Sequence, residues 1–317
     1  MNDQHSMELP IHTLLPVRAL VVTLQFTEPA EFSLFHQAAV YAFIRHLLKS
    51  SQCKSPSTFD RLLTLDAPES GRSQYRAGEC YRFTVFALGG GETLLCYLIS
   101  RLRLLPDGAP VRDPKVPLRN NLRLVSLHDL FSDQPIQDIQ DFTRYDGKWL
   151  EAETDHWASS PWMRLRWLSP ARLLKSKANP TRTKAGETRY CHETADLPSN
   201  LLLDRIYDSA ADLLQRRGER RTPRISATEL PQCASHLFWV ESHYHDADSN
   251  SKTNSGIMGE ILLGAGVRYT RQQLRLMVFG QYLGISQSRA TGLGRYRLES
   301  VHGNGTLPLT APANSLF

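Results

Sequence analysis

The sequence predicts an α+β protein built from two tandem ferredoxin-like units, each running β-α-β-β-α-β. Three observations predict it. A chain of 317 residues is long for one hydrophobic core and comfortable for two of about 150 residues each. Segments of strand-like alternation and of helical periodicity recur in the same order in both halves. Caps, glycines and polar stretches fall between those segments. The expected domains are residues 1–145 and 146–300 with a tail, 301–317, the split lying within the polar stretch from Asp133 to Ser160.

In the first unit, "VRALVVTLQF" from Val17 reads as a strand. "SLFHQAAVYAFIRHLLKS" follows as a helix capped by Ser33, with His36, Val40, Phe43 and Leu47 on one stripe. "TFDRLLTLDAP" is the only candidate for the second strand. "YRFTVFAL" reads as the third strand, "GETLLCYLISRLRLL" as the second helix and "NNLRLVSLHDLF" as the last strand.

The second unit is cleaner. "PWMRLRWLSPARLL" from Pro161 alternates and reads as a strand. "LPSNLLLDRIYDSAADLLQRRG" reads as a helix with Ser199 or Asn200 as cap and Gly218 as stop. "SHLFWVESHYH" and "GIMGEILLGAGVRY" are strands. "TRQQLRLMVFGQYLG" is a helix capped by Thr270, and "GLGRYRLES" closes the unit. "SKTNSG" and "KSKANPTRTKAGETR" read as loops, and "VHGNGTLPLTAPANSLF" lacks any periodicity and reads as a linker.

Composition excludes several classes. No apolar run approaches the roughly 18 to 20 residues of a membrane span, and the polar, acidic start is unlike a secretory leader. The five cysteines lie far apart without a C-x-x-C pair, which fits unpaired thiols in a reducing cytoplasm. Gly89 to Gly91 are not followed by the Lys-Ser/Thr of a phosphate-binding loop, so no nucleotide cofactor is expected. Cys233, His236, His243 and His245 admit a zinc reading, but without paired cysteines or H-E-x-x-H they read better as surface strand histidines, and no metal is expected.

Charge is unevenly spread. Against a net +5, residues Arg164 to Arg224 carry 14 Lys/Arg and 7 Asp/Glu, and Arg268 to Arg297 carry 6 Arg and no acid. A basic second half suggests a phosphate backbone as partner. Arg216, Arg217, Arg220 and Arg221 crowd one helix end. Lys175 and Lys177 follow the unit's first strand, and Arg271 opens the last helix. The stretch "GQYLGISQSRATGLGRYRLES" joins the last helix to the last strand. There Gly284, Gly292 and Gly294 leave backbone N–H groups unshielded, and Arg289 and Arg295 flank them, so the stretch can be a turn or a cradle for an anion.

"LGISQSRATGLGRYRLE" at that junction resembles the C-terminal glycine-rich loop of the RAMP superfamily, and in particular of the CRISPR repeat-processing endoribonucleases (the Cas-six type). "SLFHQAAVYAFIRHLL" is similar to the first helix of those enzymes, and "YRFTVFALGG" to a later aromatic strand. The resemblance implies a metal-independent ribonuclease in which the RNA's own 2′-hydroxyl attacks the next phosphate, leaving a 2′,3′-cyclic phosphate. It implies CRISPR repeat RNA as partner, beside other CRISPR effector or adaptation proteins. A non-catalytic RNA-binding subunit is the alternative, and some relatives are fused ahead of a reverse transcriptase and integrase.

Such chemistry needs a proton acceptor and donor near neutral pH, which imidazole supplies. His36, in the first turn of its helix, is the leading candidate, since the helix N-terminus disfavours imidazolium and attracts phosphate. It is expected at the mouth of the apolar seam. His46, near the other end of the helix, is the reserve. The arginines and Gly292 and Gly294 would bind RNA.

Overall fold

The computed structural model describes residues 9–32, 35–49, 56–67, 71–105, 122–175, 189–219, 232–245, 251–264, 269–285 and 289–301. The first half contains β1 (Arg18–Phe26), β2 (Ala30–Glu31), α1 (Gln37–Leu48), α2 (Pro56–Leu62), β3 (Leu63–Asp66), β4 (Gln74–Tyr75), β5 (Cys80–Ala87), α3 (Glu92–Arg103) and β6 (Leu122–Asp129). The second contains α4 (Gly147–Ser159), β7 (Trp162–Trp167), α5 (Ser199–Arg216), β8 (Gln232–His245), β9 (Ser251–Gly264), α6 (Arg271–Leu283) and β10 (Tyr296–Ser300).

Two four-stranded antiparallel sheets result, ordered β3-β5-β1-β6 and β10-β7-β9-β8. In each, the first and third strands of a β-α-β-β-α-β unit lie in the centre, flanked by the second and fourth. This is the ferredoxin-like arrangement, as the sequence predicts. "TFDRLLTLDAP" does supply the second strand, β3, after a short helix.

Alternation along the strands sets the layers. Leu20, Val22 and Leu24 of β1 and Leu63 and Leu65 of β3 turn one face toward Val40 and Phe43 of α1 and Leu95 of α3. The opposite face is not left to water. Ala19 and Phe86 there belong to the same core as Leu165, Ile206, Phe279 and Tyr296 of the second unit. Thr64 Oγ1 donates to the Tyr282 carbonyl at 2.8 Å across this junction. The units therefore share apolar burial.

Two expectations fail locally, and the stretch expected to hold the split carries an element of its own. The polar stretch expected to hold the split contains α4, started by Asp146, whose carboxylate accepts from the Lys148 and Trp149 amides. α4 is fixed by a buried carboxyl, Glu153, which accepts from Tyr145 Oη at 2.6 Å and Gln281 Nε2 at 2.9 Å. Ser251–Gly256, expected as a loop, is the first half of β9 and pairs with Val240–His245 of β8. The ladder to its partner overrides its polar composition. The cap of α5 is Pro198, without a side-chain hydrogen bond, rather than Ser199 or Asn200. Ser33, most of the basic loop from Ser176 and the tail from His302 lie outside the described residues.

Candidate functional site

α1 brings His36 to the seam between the units, but not in the expected way. The helix starts at Gln37, with His36 as the N-cap residue and no capping bond from its ring. Its side chain is 0% exposed rather than at a mouth. Phe32, Tyr75 and Tyr81 surround it at ring-centroid distances of 4.7, 5.9 and 5.5 Å. Nε2 lies 2.6 Å from the Arg72 carbonyl oxygen and must donate to it, which leaves Nδ1 as the unprotonated nitrogen of a neutral ring. Burial holds the pKa below the usual histidine value, and the Arg72 contact opposes this only in part. His46 sits ten residues on, about 15 Å along the axis at the far end of α1, so the two histidines form no pair.

The glycine-rich segment meets α1 at this point. α6 begins with a capping box between Thr270 and Gln273 and ends at Gly284, whose φ is +74°. Gly292 has φ +86°, and a Cβ there would lie 3.1 Å from both Gln37 Cγ and the Leu65 carbonyl oxygen. Only glycine lets the segment seat this closely beside His36 and β3. Among the described residues, the glycine amides expected as a cradle are already paired. Gly284 N donates to Gly280 O at 3.0 Å, Gly292 N to Arg289 O at 2.9 Å and Gly294 N to Pro170 O at 2.9 Å. Ser169 Oγ completes the turn by donating to Gly292 O and accepting from Arg295 N.

Of the flanking arginines, Arg295 is 3% exposed and lies over the Phe86 ring at 4.3 Å, so it is an interior cation. Burial lowers its pKa, and Asp66 partly offsets that. The seam is polar and incompletely satisfied: His36 Nδ1, Gln37 Oε1, Asp66 Oδ1 and Arg295 Nε and Nη1 are buried without hydrogen-bond partners. Arg289 differs. It lines an open cleft of about 470 Å³ between the units, together with Tyr41, Asp60, Arg172, Arg205 and Asp212. Its nearest carboxylate is Asp212 at 3.8 Å, and it donates to Asp60 O at 3.4 Å. Burial pulls its guanidinium pKa down to about 10.

The remaining cations divide sharply. Arg216 lines the cleft and pairs with Asp212 at 2.9 Å. Lys175 is next to the cleft residue Leu174 and pairs with Asp196 at 2.7 Å. Arg217 points the other way and clamps the first unit, donating to the carbonyls of Gly89 at 2.8 Å, Arg61 at 2.8 Å and Thr13 at 3.2 Å. Arg271 belongs to a surface network with Glu151 at 2.7 Å and with Asp155, and Arg275 joins it through Glu151 at 3.0 Å. Both sit at the end of α6 away from the glycine segment, and Glu151 and Asp155 meet their charge. Lys177, Arg220 and Arg221, and the side chains of Cys233, His243 and His245, lie outside the described residues.

Sequence reasoning missed the acidic half of the cleft. Tyr41 Oη donates to Asp60 Oδ1 at 2.8 Å, and Arg205 pairs with Asp208 at 2.9 Å. The Asp212–Arg216 spacing of four was the available signal.

No protein-family model and no curated protein matches the chain. Solved structures do. A chain of a "Partial Cas6-RT-Cas1--Cas2 complex" superposes with TM-score 0.72 and 26% identity, over 96% of this chain and 49% of that one. A second structure, of a "Cas6-RT-Cas1--Cas2 complex", gives the same score and identity over 31% of its chain. The fold is that of a Cas6-type protein. A Thermus thermophilus Cas6 has the same fold, with TM-score 0.51 and 15% identity over 90% of this chain and 98% of its own. A Cas6 product complex gives 0.52 and 18% over 89% and 99%. This chain thus covers nearly all of the two Cas6 chains and half or less of the chains from the Cas6-RT-Cas1--Cas2 complexes. No helix among its described residues is long and apolar enough to cross a membrane.

Proposed function

We propose that the protein is a metal-independent endoribonuclease that cuts CRISPR repeat RNA. The carrying observation is the Cas6-type fold with its glycine segment seated on Gln37, one residue from His36. In this reaction the 2′-oxygen attacks the adjacent phosphorus and loses its proton, while the 5′-oxygen leaves and gains one. The products are a 2′,3′-cyclic phosphate and a 5′-hydroxyl. His36 Nδ1 is the proton acceptor, since its lone pair is unused and its ring is neutral. Arg289 supplies positive charge to the phosphorane-like transition state. His36 must become accessible for this, so the two-residue ribbon β2–β4, which brings Tyr75 against His36, opens when RNA binds. Repeat RNA is the partner. The match to half of a Cas6-RT-Cas1 chain supports a polypeptide that also carries a reverse transcriptase and acts beside CRISPR adaptation proteins.

A second reading, a non-catalytic RNA-holding subunit, is favoured by the complete burial of His36. Repeat RNA incubated in excess EDTA, beside the same RNA with a 2′-deoxy residue at the cut position, separates the two. Cleavage of the first alone, with a cyclic phosphate end, supports the enzyme. Tight binding with both RNAs intact supports the holder.

A further inference from the structure

We infer that the cleft between the units is a subsite for one unpaired nucleotide whose base carries an amino group. The inference rests on the RNA reading and specifies what part of the RNA the cleft takes. Its wall is the wrong surface for backbone alone. Asp60, Asp208 and Asp212 alternate with Arg172, Arg205, Arg216 and Arg289, and three carboxylates repel a run of phosphates. A nucleotide offers both signs: an anionic phosphate and a base edge rich in N–H donors.

The individual partners assign the ends. Arg205 is committed to Asp208 at 2.9 Å and Leu174 O at 3.0 Å, and Arg172 to Ser255 Oγ and Thr253 O. Arg289, 4% exposed with its nearest carboxylate 3.8 Å away, is the least compensated of these cations and takes the phosphate. On the acceptor side, Asp212 uses Oδ2 for both of its arginines, and Asp60 uses Oδ1 for Tyr41. Among the described residues no donor reaches Asp212 Oδ1 or Asp60 Oδ2. A carboxylate so placed accepts from the amino groups of cytosine, adenine or guanine. Uracil presents one N–H between two carbonyls, which the same carboxylate repels. A volume of about 470 Å³ is within the range that holds one small ligand.

The test is equilibrium dialysis of the full chain against labelled GMP, AMP, CMP and UMP and against inorganic phosphate. GMP, AMP and CMP should be retained at least about fivefold more tightly than UMP or phosphate, as expected of one good base-edge contact. Asp212→Asn and, separately, Asp60→Asn should reduce them to the UMP level while phosphate binding stays. Both changes are isosteric, and thermal melting verifies that each variant is folded. Equal retention of all four nucleotides, retention of none, or discrimination that survives both variants overturns the subsite. If the wild type still cuts repeat RNA in that case, the endoribonuclease reading stands. Nucleotide discrimination by a protein that neither binds nor cuts repeat RNA sinks that reading and leaves the pocket.

Discussion

The ring of His36 is neutral at pH 7, because burial among Phe32, Tyr75 and Tyr81 penalises the imidazolium. That has a consequence for stability separate from catalysis. A pKa lowered on folding means the folded state holds the proton less tightly than the unfolded chain does. This group therefore costs no stability above the unfolded value of about 6.5 and erodes stability as the pH falls below it. Urea midpoints measured from neutral pH to about 5 should fall more for the wild type than for His36→Phe, which keeps the ring volume and removes the titration. The same variant should lose cutting by about 100-fold or more, as for loss of a general base, with RNA affinity little changed. His36→Ala is the poorer probe, since opening a cavity in a packed cage should cost about 2 to 4 kcal/mol and lower activity through unfolding. Full-rate cutting by His36→Phe would move the assignment to the arginines or His46.

At the scale of elements, the glycine segment is a close-packed joint between the units. Gly292→Ala should destabilise the protein by about 1 to 2 kcal/mol from backbone conformation alone, more if Gln37 cannot yield, and a melting curve reads it directly. The α5 end offers a paired test. Arg217→Ala strips donors from three carbonyls and should cost about 1 to 3 kcal/mol, whereas Arg216→Ala, on the exposed face, should leave the melting temperature within a degree or so. The sequence distinguishes these neighbours poorly, because Arg217's partners lie 128 to 204 residues away. The same physics separates the legible from the illegible elsewhere. Period-2 runs such as β1 and β5 read correctly because each strand's own residues carry the alternation. α4 was hidden because Glu153, a charged residue by sequence, is an interior hydrogen-bond hub, and the first half of β9 because its partner strand, not its composition, makes it a strand. At the site, the positions of His36 and the glycine segment were legible, while the burial of His36 and Arg295 and the pairing of the glycine amides depend on tertiary contacts.

For the whole molecule, the excess of basic residues in the second half overstates the charge free to meet a polyanion. Arg295 is interior, Arg217 is a clamp, and Arg271 and Arg275 already face Glu151. What remains among the described candidates is Lys175, Arg216 and Arg289, all on or beside one cleft. Counterion release converts that difference into a measurable slope: each phosphate neutralised on a single strand contributes about −0.7 to the dependence of log K on log salt. Repeat-RNA affinity measured across a salt series should therefore become less steep by about 0.7 for Arg289→Ala, whose nearest carboxylate is 3.8 Å away, and should change less for Arg216→Ala and Lys175→Ala, which Asp212 and Asp196 already balance. Arg271→Ala should leave the slope unchanged, because its charge is balanced by Glu151 and Asp155 in the free protein and no phosphate takes their place. A slope that drops equally for Arg271→Ala would mean that RNA follows α6 and displaces those carboxylates. The path would then run along the α4–α6 surface, and the cleft between the units would lose its claim to the scissile strand.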